Sequence, residues 1–424
     1  MSKERLAVVG SGVSGLGAAW LLRGRHDVTL FEKEPRPGGH SNTVEVEEDG
    51  RLLPVDTGFM VFNKVTYPHL VRLFDELRVP VRPTEMSFSV RHDLLDVEYN
   101  GMGLRRIFAQ RRNLLRPRFL SLLAQILRFF RLANAALDNE GLESMSLEDF
   151  TRGHGFDGDF LRLYLVPMSA SIWSITPGRA LDFPAATLLR FFHNHGFLGL
   201  TTHHPWFTVD GGAREYVKRM LAGLPRPRVS APVVSVSASE DGVTVRTADG
   251  ACGRFDRVIL AAHADESLAM LERPTPLQEK LLGAFRYQSN EAVLHTDATV
   301  MPRRRRAWAA WNYRMDPSAE GERPSTHYHM NRLQGVSDKR DYFVSLNYTD
   351  RIDPGRVLWR KDYAHPIFDR RALSAQHHLP AINAEMPGQR VFFCGSYFRH
   401  GFHEDGLASA VQCARAVCGE DPWP

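Results

Sequence analysis

Cysteine is scarce in this chain of 424 residues, and the sequence shows no repeat and no low-complexity tract. The four cysteines (Cys252, Cys394, Cys413 and Cys418) have neither CxxC nor zinc-site spacing, which argues against a disulfide framework and a metal site. No apolar run approaches the roughly 18 residues that span a bilayer. A buried strand is predicted from residue 6, which leaves no room for a signal peptide, so we expect a cytoplasmic protein.

Acidic residues are missing from one long stretch, although the net charge of the chain is only +4. None occurs between Glu98 and Asp138, where arginine recurs at positions 105, 106, 111, 112, 116, 118, 128 and 131. The stretch contains the apolar, helix-prone segment 119–132. Such a basic amphipathic helix is typical of proteins that lie on an anionic membrane surface, here the inner face of the cell membrane. It equally fits a helix whose apolar face is core, and the pattern leaves both interpretations open.

Two further patterns do not predict binding sites. A second basic run lies at Arg303–Arg306, but no recognised nucleic-acid-reading motif accompanies either run, so we expect no nucleic-acid partner. The histidine pair His193 and His195 has no cysteine or carboxylate at ligand spacing, so we predict no metal site there.

What the sequence does contain is a strand–glycine–helix pattern near its start. Leu6–Val9 is a short apolar run typical of a parallel strand that is buried on both faces. Gly10, Gly12 and Gly15 follow at once, before a helical pattern that runs to Leu22. In such a motif the first glycine allows a tight turn, the second lets a pyrophosphate approach the backbone, and the third lets the helix pack closely on the strand. The helix start offers free N–H groups and a positive dipole end to the phosphates.

A second predicted strand, Asp27–Phe31, ends at Glu32, about twenty residues after the first glycine. An acid at this point accepts hydrogen bonds from a ribose diol and disfavours a 2′-phosphate. The order of strand, helix, strand and acid therefore predicts an α/β fold with a Rossmann-type domain that binds NAD or FAD.

Two later segments favour FAD. Arg36-Pro-Gly-Gly-His40 follows the second strand, and Asp56–Met60 comes next. Together they resemble the early cofactor segments of the flavin amine oxidase superfamily, which includes monoamine oxidases, phytoene desaturases and protoporphyrinogen oxidases. The resemblance implies non-covalent FAD, with the paired glycines close to its phosphates and the later segment close to its ring. By itself the first segment also fits a solvated Pro/Gly loop.

A second strand–glycine–helix pattern lies near the C-terminal end. A strand from Val391 breaks at Gly395, and a helix is predicted to open near Asp405-Gly406. In the superfamily this helix start faces the N1/O2 edge of the flavin, so the resemblance implies that N–H groups of Glu404–Leu407 stabilise the reduced ring. Residues 403–405 alone also fit a plain helix N-cap.

A middle segment completes the set. A helix is predicted at 215–221, and strands are predicted at 233–236, 242–247 and 256–262. The resemblance implies that backbone atoms near Val233 and Val234 hold the adenine, and a glutathione-reductase-like architecture of amine oxidase type. The predicted boundaries are 1–65, 205–265 and 385–424 for the FAD-binding domain, and 66–204 and 266–384 for an interleaved α+β substrate domain.

The cofactor contacts that the resemblance implies come from all these motifs. They are Gly10, Gly12, Val13, Ser14, Gly15, Glu32, Lys33, Arg36, Gly38, Gly39, His40, Gly58, Phe59, Met60, Val233, Val234, Gly395, Ser396, Glu404, Asp405, Gly406, Leu407 and Ala408. No motif assigns a base for C–H removal. His403, Glu404 and His295 are candidates by position alone.

Two features of amine oxidases are missing. Those enzymes place a lysine near flavin N5 from a substrate-domain strand, but no lysine occurs between Lys280 and Lys339. They also place a tyrosine of an aromatic cage just before the glutamate of the last cofactor segment, where this chain has Phe402. Both absences put amine oxidation in doubt.

Finer motifs resemble one bacterial subfamily over essentially the whole chain. They are NKVTYPHL at 63–70, WAAWNY at 308–313, HPIFD at 365–369 and GFHEDG at 401–406. The subfamily comprises predicted FAD-binding proteins that are usually encoded beside cyclopropane-fatty-acid synthases, and members have been linked to dehydrogenation of methyl-branched or unsaturated acyl chains. The resemblance implies a lipid substrate and a cyclopropane-synthase-like methyltransferase as a partner.

The sequence therefore predicts an FAD-dependent oxidoreductase that removes hydride from a carbon of a fatty acyl chain of membrane lipid. Two alternatives stay open: a flavin amine oxidase, and a non-catalytic FAD-holding partner of a lipid methyltransferase.

Overall fold

Four parallel strands form one sheet, and they come from both ends and from the middle of the chain. In this computed structural model, residues 3–173, 177–318, 321–384 and 388–423 are described. The strand order is Val391–Phe393, Arg257–Leu260, Arg5–Val9 and Asp27–Phe31. Every neighbouring pair is parallel, and the strands are mainly apolar, as expected for a sheet covered on both faces.

Two helices begin at the carboxyl ends of these strands. Val13–Leu22 follows the first strand of the chain, and His403–Cys418 follows the last. The two helices cross closely, since a Cβ at Gly406 would lie 2.8 Å from Ser14 Oγ. Both positive helix ends therefore lie side by side at the edge of the sheet where ligands bind in folds of this type.

A seven-stranded sheet forms the second large layer. Its order is Val357–Ile367, Arg286–His295, Phe343–Leu346, Gly321–His329, Trp311–Ser318, Phe88–His92 and Val97–Asn100. All pairings are antiparallel except that of the strands beginning at Phe88 and Trp311. One face packs on the loops beside the parallel sheet, and the other packs under the segments around 300 and 350.

Three smaller sheets connect these layers. They are Val233–Ser239 with Gly242–Thr247 and Cys252–Phe255, Thr43–Glu48 with Arg51–Asp56, and Phe62–Asn63 with Trp206–Val209 and Val81–Thr84. The other α-helices are Pro68–Glu76, Leu104–Ile107, Pro117–Ala136, Leu147–Gly153, Gly158–Phe160, Val166–Trp173, Pro177–Ala180, Ala185–Asn194, Arg214–Ala222, Ala264–Met270, Pro276–Leu282, Met330–Gln334 and Arg370–Gln376. A π-helical turn spans Leu161–Leu165, and 3₁₀ turns include Arg111–Leu115 and Arg305–Ala307.

The predicted α/β fold, with a Rossmann-type sheet and a separate mixed sheet, is confirmed. The last helix begins at His403 rather than near Asp405, because the Asp405 carboxylate caps the preceding turn by accepting from Phe402 N at 2.9 Å. The proposed domain boundaries stay a prediction, and the one at residue 385 lies outside the described residues.

The sequence predicts no membrane-spanning segment, but one helix of the structure meets the length and composition criterion for a span. Pro117–Ala136 is long and apolar enough, by length and composition alone, to cross a bilayer. The apolar run is interrupted by arginines, which is why the sequence predicts no span there. In the structure one face of the helix is core, with Phe129 packed on Phe150 and Phe160. Core helices of soluble proteins meet the same criterion, so the observation by itself is weak evidence for a span.

Candidate functional site

The glycine-rich turn after the first strand has the predicted geometry. Gly10 has φ +98°, and a Cβ there would lie 2.8 Å from Ala261 O, so a side chain would be strained. A Cβ at Gly15 would lie 1.8 Å from Gly10 O. At Gly12, by contrast, no other heavy atom lies within 4 Å of where a Cβ would stand. This open backbone at a helix start fits the approach of a pyrophosphate.

Two further loops contact this turn through backbone atoms. A Cβ at Gly39 would lie 3.0 Å from Gly12 Cα, which places the paired-glycine loop directly against the turn. A Cβ at Gly58 would lie 2.1 Å from His40 O, so the third cofactor segment is held against the second. The predicted cofactor segments around residues 12, 39 and 58 therefore meet at one place.

Glu32 lies at the end of the second strand and is buried. One carboxylate oxygen accepts hydrogen bonds from Ser11 N at 2.9 Å and from Ser11 Oγ, and the other accepts from Glu34 N at 2.9 Å. These donors hold the acid beside the glycine turn. This is the position from which an acid in such folds accepts hydrogen bonds from the ribose of a dinucleotide.

Four other residues that were predicted to contact the cofactor have side chains that bind within the protein or lie toward solvent. Lys33 Nζ pairs with Glu266 at 2.5 Å. The Arg36 guanidinium donates to a carbonyl of its own paired-glycine loop at 2.9 Å, so it orders the loop. Val233 is partly buried, whereas the Val234 side chain is 49% exposed and points outward.

His403, the first residue of the last helix, connects three cofactor segments. Its Nε2 lies 2.9 Å from Ser41 Oγ and 3.2 Å from Tyr216 OH, and its ring stacks on Phe59 with 3.8 Å between centroids. Burial lowers the pKa of His403 to about 3. The imidazole is therefore neutral near pH 7 and positions neighbouring groups rather than donating a proton.

Glu404 and Asp405 act as helix caps. Glu404 accepts from two N–H groups at the start of helix Pro68–Glu76, at 3.0 and 3.1 Å, and its Oε1 lies 2.6 Å from His69 Nδ1. Asp405 accepts from Phe402 N, and burial raises the pKa of this carboxyl to about 6. Asp405 therefore has a capping role as the third residue of the helix, whereas the N-cap position itself is Phe402. Both oxygens of Glu404 already accept hydrogen bonds, so the geometry gives this residue a structural role.

His295 lies on the face of the seven-stranded sheet that points away from the glycine loops. Its neighbour Leu294 belongs to the cluster that includes Met60, whereas His295 contacts Ser345 at 2.7 Å and the Phe343 ring. Successive side chains in a strand point to opposite faces, so the two neighbours separate. The structure does not bring His295 together with the other two catalytic candidates.

A cluster of rings that the sequence did not predict lies beside the paired-glycine loop. The His40 ring centroid is 4.8 Å from that of Tyr363, 5.6 Å from that of His365 and 6.5 Å from that of His263, and His263 stacks on Tyr287 at 4.3 Å. Burial lowers the pKa of all three histidines, that of His365 to about 4. Among the described residues no group of three or more His, Cys, Asp or Glu is arranged to hold a metal ion.

A second unpredicted group surrounds Phe402, the residue before the last helix. Phe402 stacks on Phe191 with centroids 5.3 Å apart, and Phe191 also stacks on His195 at 3.9 Å and meets His400 at 6.0 Å. Trp206 lies 6.3 Å from the His195 ring. Burial lowers the pKa of His195 and His400 to about 4, so these rings are uncharged near pH 7. No sequence pattern links these residues, which lie on three separate elements.

The parallel sheet, the open glycine turn, the buried acid and the second helix start define a dinucleotide-binding protein. The family described as flavin containing amine oxidoreductase matches residues 13–359. The chain therefore belongs to this family, and it is a flavin-dependent oxidoreductase.

Individual proteins agree with this assignment. An L-amino-acid oxidase of Pseudechis australis is 50% identical over 48 residues, which are 11% of this chain and only 9% of that protein. Wild-type putrescine oxidase superposes with a TM-score of 0.67 at 16% identity over 99% of each chain. Cyclohexylamine oxidase of Brevibacterium oxydans superposes at 0.69 and 15%, and the CLA-producing fatty acid isomerase of P. acnes at 0.66 and 14%, each over 98% of both chains. At these identities the structural matches show the fold.

The residues present fit a flavin. The glycine turn and the paired-glycine loop leave backbone open at a helix start for phosphates, and Glu32 lies at the ribose position. The start of the last helix offers N–H groups and a positive dipole end for charge that develops on a reduced ring. When bound, a flavin supplies the hydride acceptor, while the chain supplies binding and orientation.

Proposed function

We propose that this protein binds FAD non-covalently and dehydrogenates a fatty acyl chain of a membrane lipid. One hydrogen would leave a chain carbon as hydride for the flavin, and a proton would leave the neighbouring carbon. The observation that carries the proposal is the uncharged, aromatic surrounding of Phe402, formed by Phe191 together with the neutral rings of His195 and His400. An uncharged, aromatic surrounding of this kind favours an apolar substrate.

The seven-stranded sheet supports the same proposal. On its face toward the cofactor loops, the strand Arg286–His295 presents Ala292 and Leu294 and no lysine. Lys361, on the next strand, donates to Glu34 at 3.0 Å, beside the acid at the ribose position. Its ammonium is therefore engaged away from the aromatic group around Phe402. A flavin amine oxidase would need its base from elsewhere.

The structural relatives include both chemistries. Putrescine oxidase and cyclohexylamine oxidase act on amines, as their names say, whereas one relative of equal similarity is a fatty acid isomerase. The fold therefore accommodates acyl substrates as well as amines. Amine oxidation is the second candidate function, favoured by the family match.

The deciding experiment is anaerobic mixing of the flavin-loaded protein with phospholipids that carry unsaturated, cyclopropane or methyl-branched acyl chains. Loss of the visible flavin absorbance, with a lipid product lighter by two hydrogens in mass spectrometry, is the expected result. Bleaching by amines and not by lipids would overturn the proposal. Bleaching by neither, with co-purification of a methyltransferase, would favour the non-catalytic partner.

A variant at Phe402 tests whether the aromatic group contacts the lipid substrate. Phe402→Asp places a charge in the aromatic group at a helix N-cap, where aspartate is well tolerated, so the variant should fold and retain flavin. Its flavin should no longer be bleached by lipids, because burying the carboxylate with an acyl chain is unfavourable. Leu52→Asp, at a position that is 61% exposed, is the matched control and should react like the wild type.

A further inference from the structure

Exposed apolar side chains concentrate in one part of the surface. Seven of the fourteen large apolar side chains that are exposed among the described residues lie between positions 94 and 127. They are Leu94, Met102, Leu104, Leu114, Leu115, Leu120 and Leu127. Leu115 is 88% exposed and Leu104 75%, which is close to full contact with water. Clusters of this kind occur at interaction surfaces and not at random on a soluble protein.

The helix Pro117–Ala136 is apolar on both of its sides. Phe119, Leu122, Phe129 and Ala133 form its buried face. On the opposite side Leu120, Ala124 and Leu127 are exposed, at the i, i+4 and i+7 spacing of one stripe, and Arg131 continues the stripe at i+11. A helix that only covers a soluble core has polar residues on this side. The exposed stripe is therefore unexplained by the fold.

The arginines of this region fall into two classes. Arg112 pairs with Asp96, and Arg118 pairs with Asp159, so these charges are compensated within the protein. Arg105, Arg111 and Arg131 are exposed, and they have no ion pair within the part of the chain that the structure describes. They lie among the exposed leucines and give the surface an excess of positive charge.

The fold adds the second basic run to this surface. The turn Arg305–Ala307 contacts the helix Leu104–Ile107, although about 200 residues separate them in the chain. Arg305 forms an ion pair with Asp341. Arg306 is exposed and has no ion pair among the described residues. Two arginine-rich segments that are distant in sequence thus form one surface.

A cavity opens at the same place. It has a volume of about 330 Å³, and its apolar lining residues Leu95, Val97, Leu115, Pro117, Phe119 and Leu163 are joined by Arg116 and Arg118. Its size is at the lower end of the range for sites that bind small apolar ligands. The cavity gives an apolar chain from outside a place to enter between the helix and the sheet.

We propose that this surface, the arginine–leucine face, docks onto an anionic lipid bilayer. The face consists of Leu104, Leu114, Leu115, Leu120 and Leu127 with Arg105, Arg111, Arg131 and Arg306. The leucines enter the boundary between headgroups and acyl chains, and the four arginines, which have no ion pair among the described residues, contact lipid phosphates. Anionic lipid complements both properties of the face, its apolar stripe and its uncompensated positive charge. The proposal does not depend on the substrate of the enzyme.

The test is co-sedimentation of the flavin-loaded protein with vesicles of phosphatidylcholine alone or mixed with phosphatidylglycerol. We expect binding to the anionic vesicles that weakens as salt is added. The variant R105Q/R111Q/R131Q/R306Q should lose about fivefold in affinity for each arginine. The variant L115S/L120S/L127S should lose about tenfold for each leucine that enters the interface.

Matched controls remove the same charge or the same apolar area elsewhere. R51Q/R226Q/R273Q/R371Q changes four exposed arginines outside the face, and L52S/V65S/L358S changes three exposed apolar residues. Both controls should bind vesicles like the wild type. Absence of vesicle binding, equal binding to neutral vesicles, or equal losses in the controls would overturn the proposal. Self-association that the face variants abolish, without vesicle binding, would assign the face to a second copy of the chain.

Discussion

Both faces of the seven-stranded sheet carry histidines, but the surroundings of these histidines differ. On the side of the cofactor loops, His365 lies in an open arrangement of rings around His40, with partial exposure. On the other side, His295 and His327 are fully buried and linked through Ser345. The comparison shows that the presence of buried histidines does not identify a site. On the far face the nitrogens of both histidines are satisfied by the protein itself.

On the far face the hydrogen bonds form a directed chain. Asp297 N donates to His295 Nδ1 at 3.1 Å, so the proton of His295 is on Nε2, which lies 2.7 Å from Ser345 Oγ. The serine hydroxyl then donates to His327 Nδ1 at 2.6 Å, and His327 Nε2 donates to Ser325 at 2.8 Å. Each ring is fixed as one neutral tautomer. Such a chain stabilises the sheet and leaves no nitrogen free for catalysis.

The largest expected effect follows from removal of the central hydroxyl. Ser345→Ala leaves one nitrogen of His295 and one of His327 buried without a partner. Each of the two unsatisfied groups costs about 1–3 kcal/mol, so the free energy of unfolding should fall by about 2–6 kcal/mol. Urea denaturation measures this loss, and the flavin content of the folded fraction should stay unchanged.

Ser121→Ala, on the exposed side of a helix, is the control and should leave stability unchanged. Unchanged stability of Ser345→Ala with slower flavin reduction would contradict the comparison. It would return His295 to the list of catalytic groups.

A smaller effect is expected from acid. Burial lowers the pKa of His295 from 6.5 to about 4 and that of His327 well below its usual value. Below pH 6.5 the unfolded chain binds protons that the folded protein does not, so stability is complete above pH 6.5 and falls as the pH decreases toward 4. The contribution of His295 at pH 4 is about 3 kcal/mol.

Chemical denaturation at a series of pH values measures this slope. His295→Gln removes one titrating group, so its stability should depend less steeply on pH between 6.5 and 4. An unchanged slope would show that the acid sensitivity comes from other histidines, including those of the cofactor side.

The same comparison explains what the sequence could predict. Gly10, Gly12 and Gly15 shape the backbone of one local motif, and the Glu32 carboxylate is held against the same motif, so sequence spacing predicts that these residues lie together. The face on which a strand residue lies depends on register, and a shift of one residue separates His295 from Leu294. The sequence pattern around His295 contains no such information.

The sequence pattern also does not predict which distant segments of the chain come into contact. His40 and His365 are in contact although 325 residues separate them, and the turn Arg305–Ala307 contacts the helix Leu104–Ile107 across about 200 residues. The charge of a residue in the sequence also does not show whether that charge is free to bind a cofactor.

Lys33 carries a charge near the cofactor loops, but it is paired with Glu266 within the protein. Such pairing depends on the folded arrangement and not on spacing along the chain.

The smallest expected effect concerns His403, the candidate that does lie among the cofactor loops. His403→Gln keeps a hydrogen-bonding group near Ser41 and Tyr216 but loses the ring that stacks on Phe59. A ring pair contributes about 1 kcal/mol, so flavin should dissociate about fivefold more readily while stability changes little. Because the pKa of His403 is about 3, the pH profile of flavin reduction near neutrality should not change. His327→Gln, on the opposite face, should instead lower stability and leave flavin affinity unaltered. If His403→Gln removed an ionisation near pH 7 from that profile, His403 would be a catalytic base and not a positioning residue.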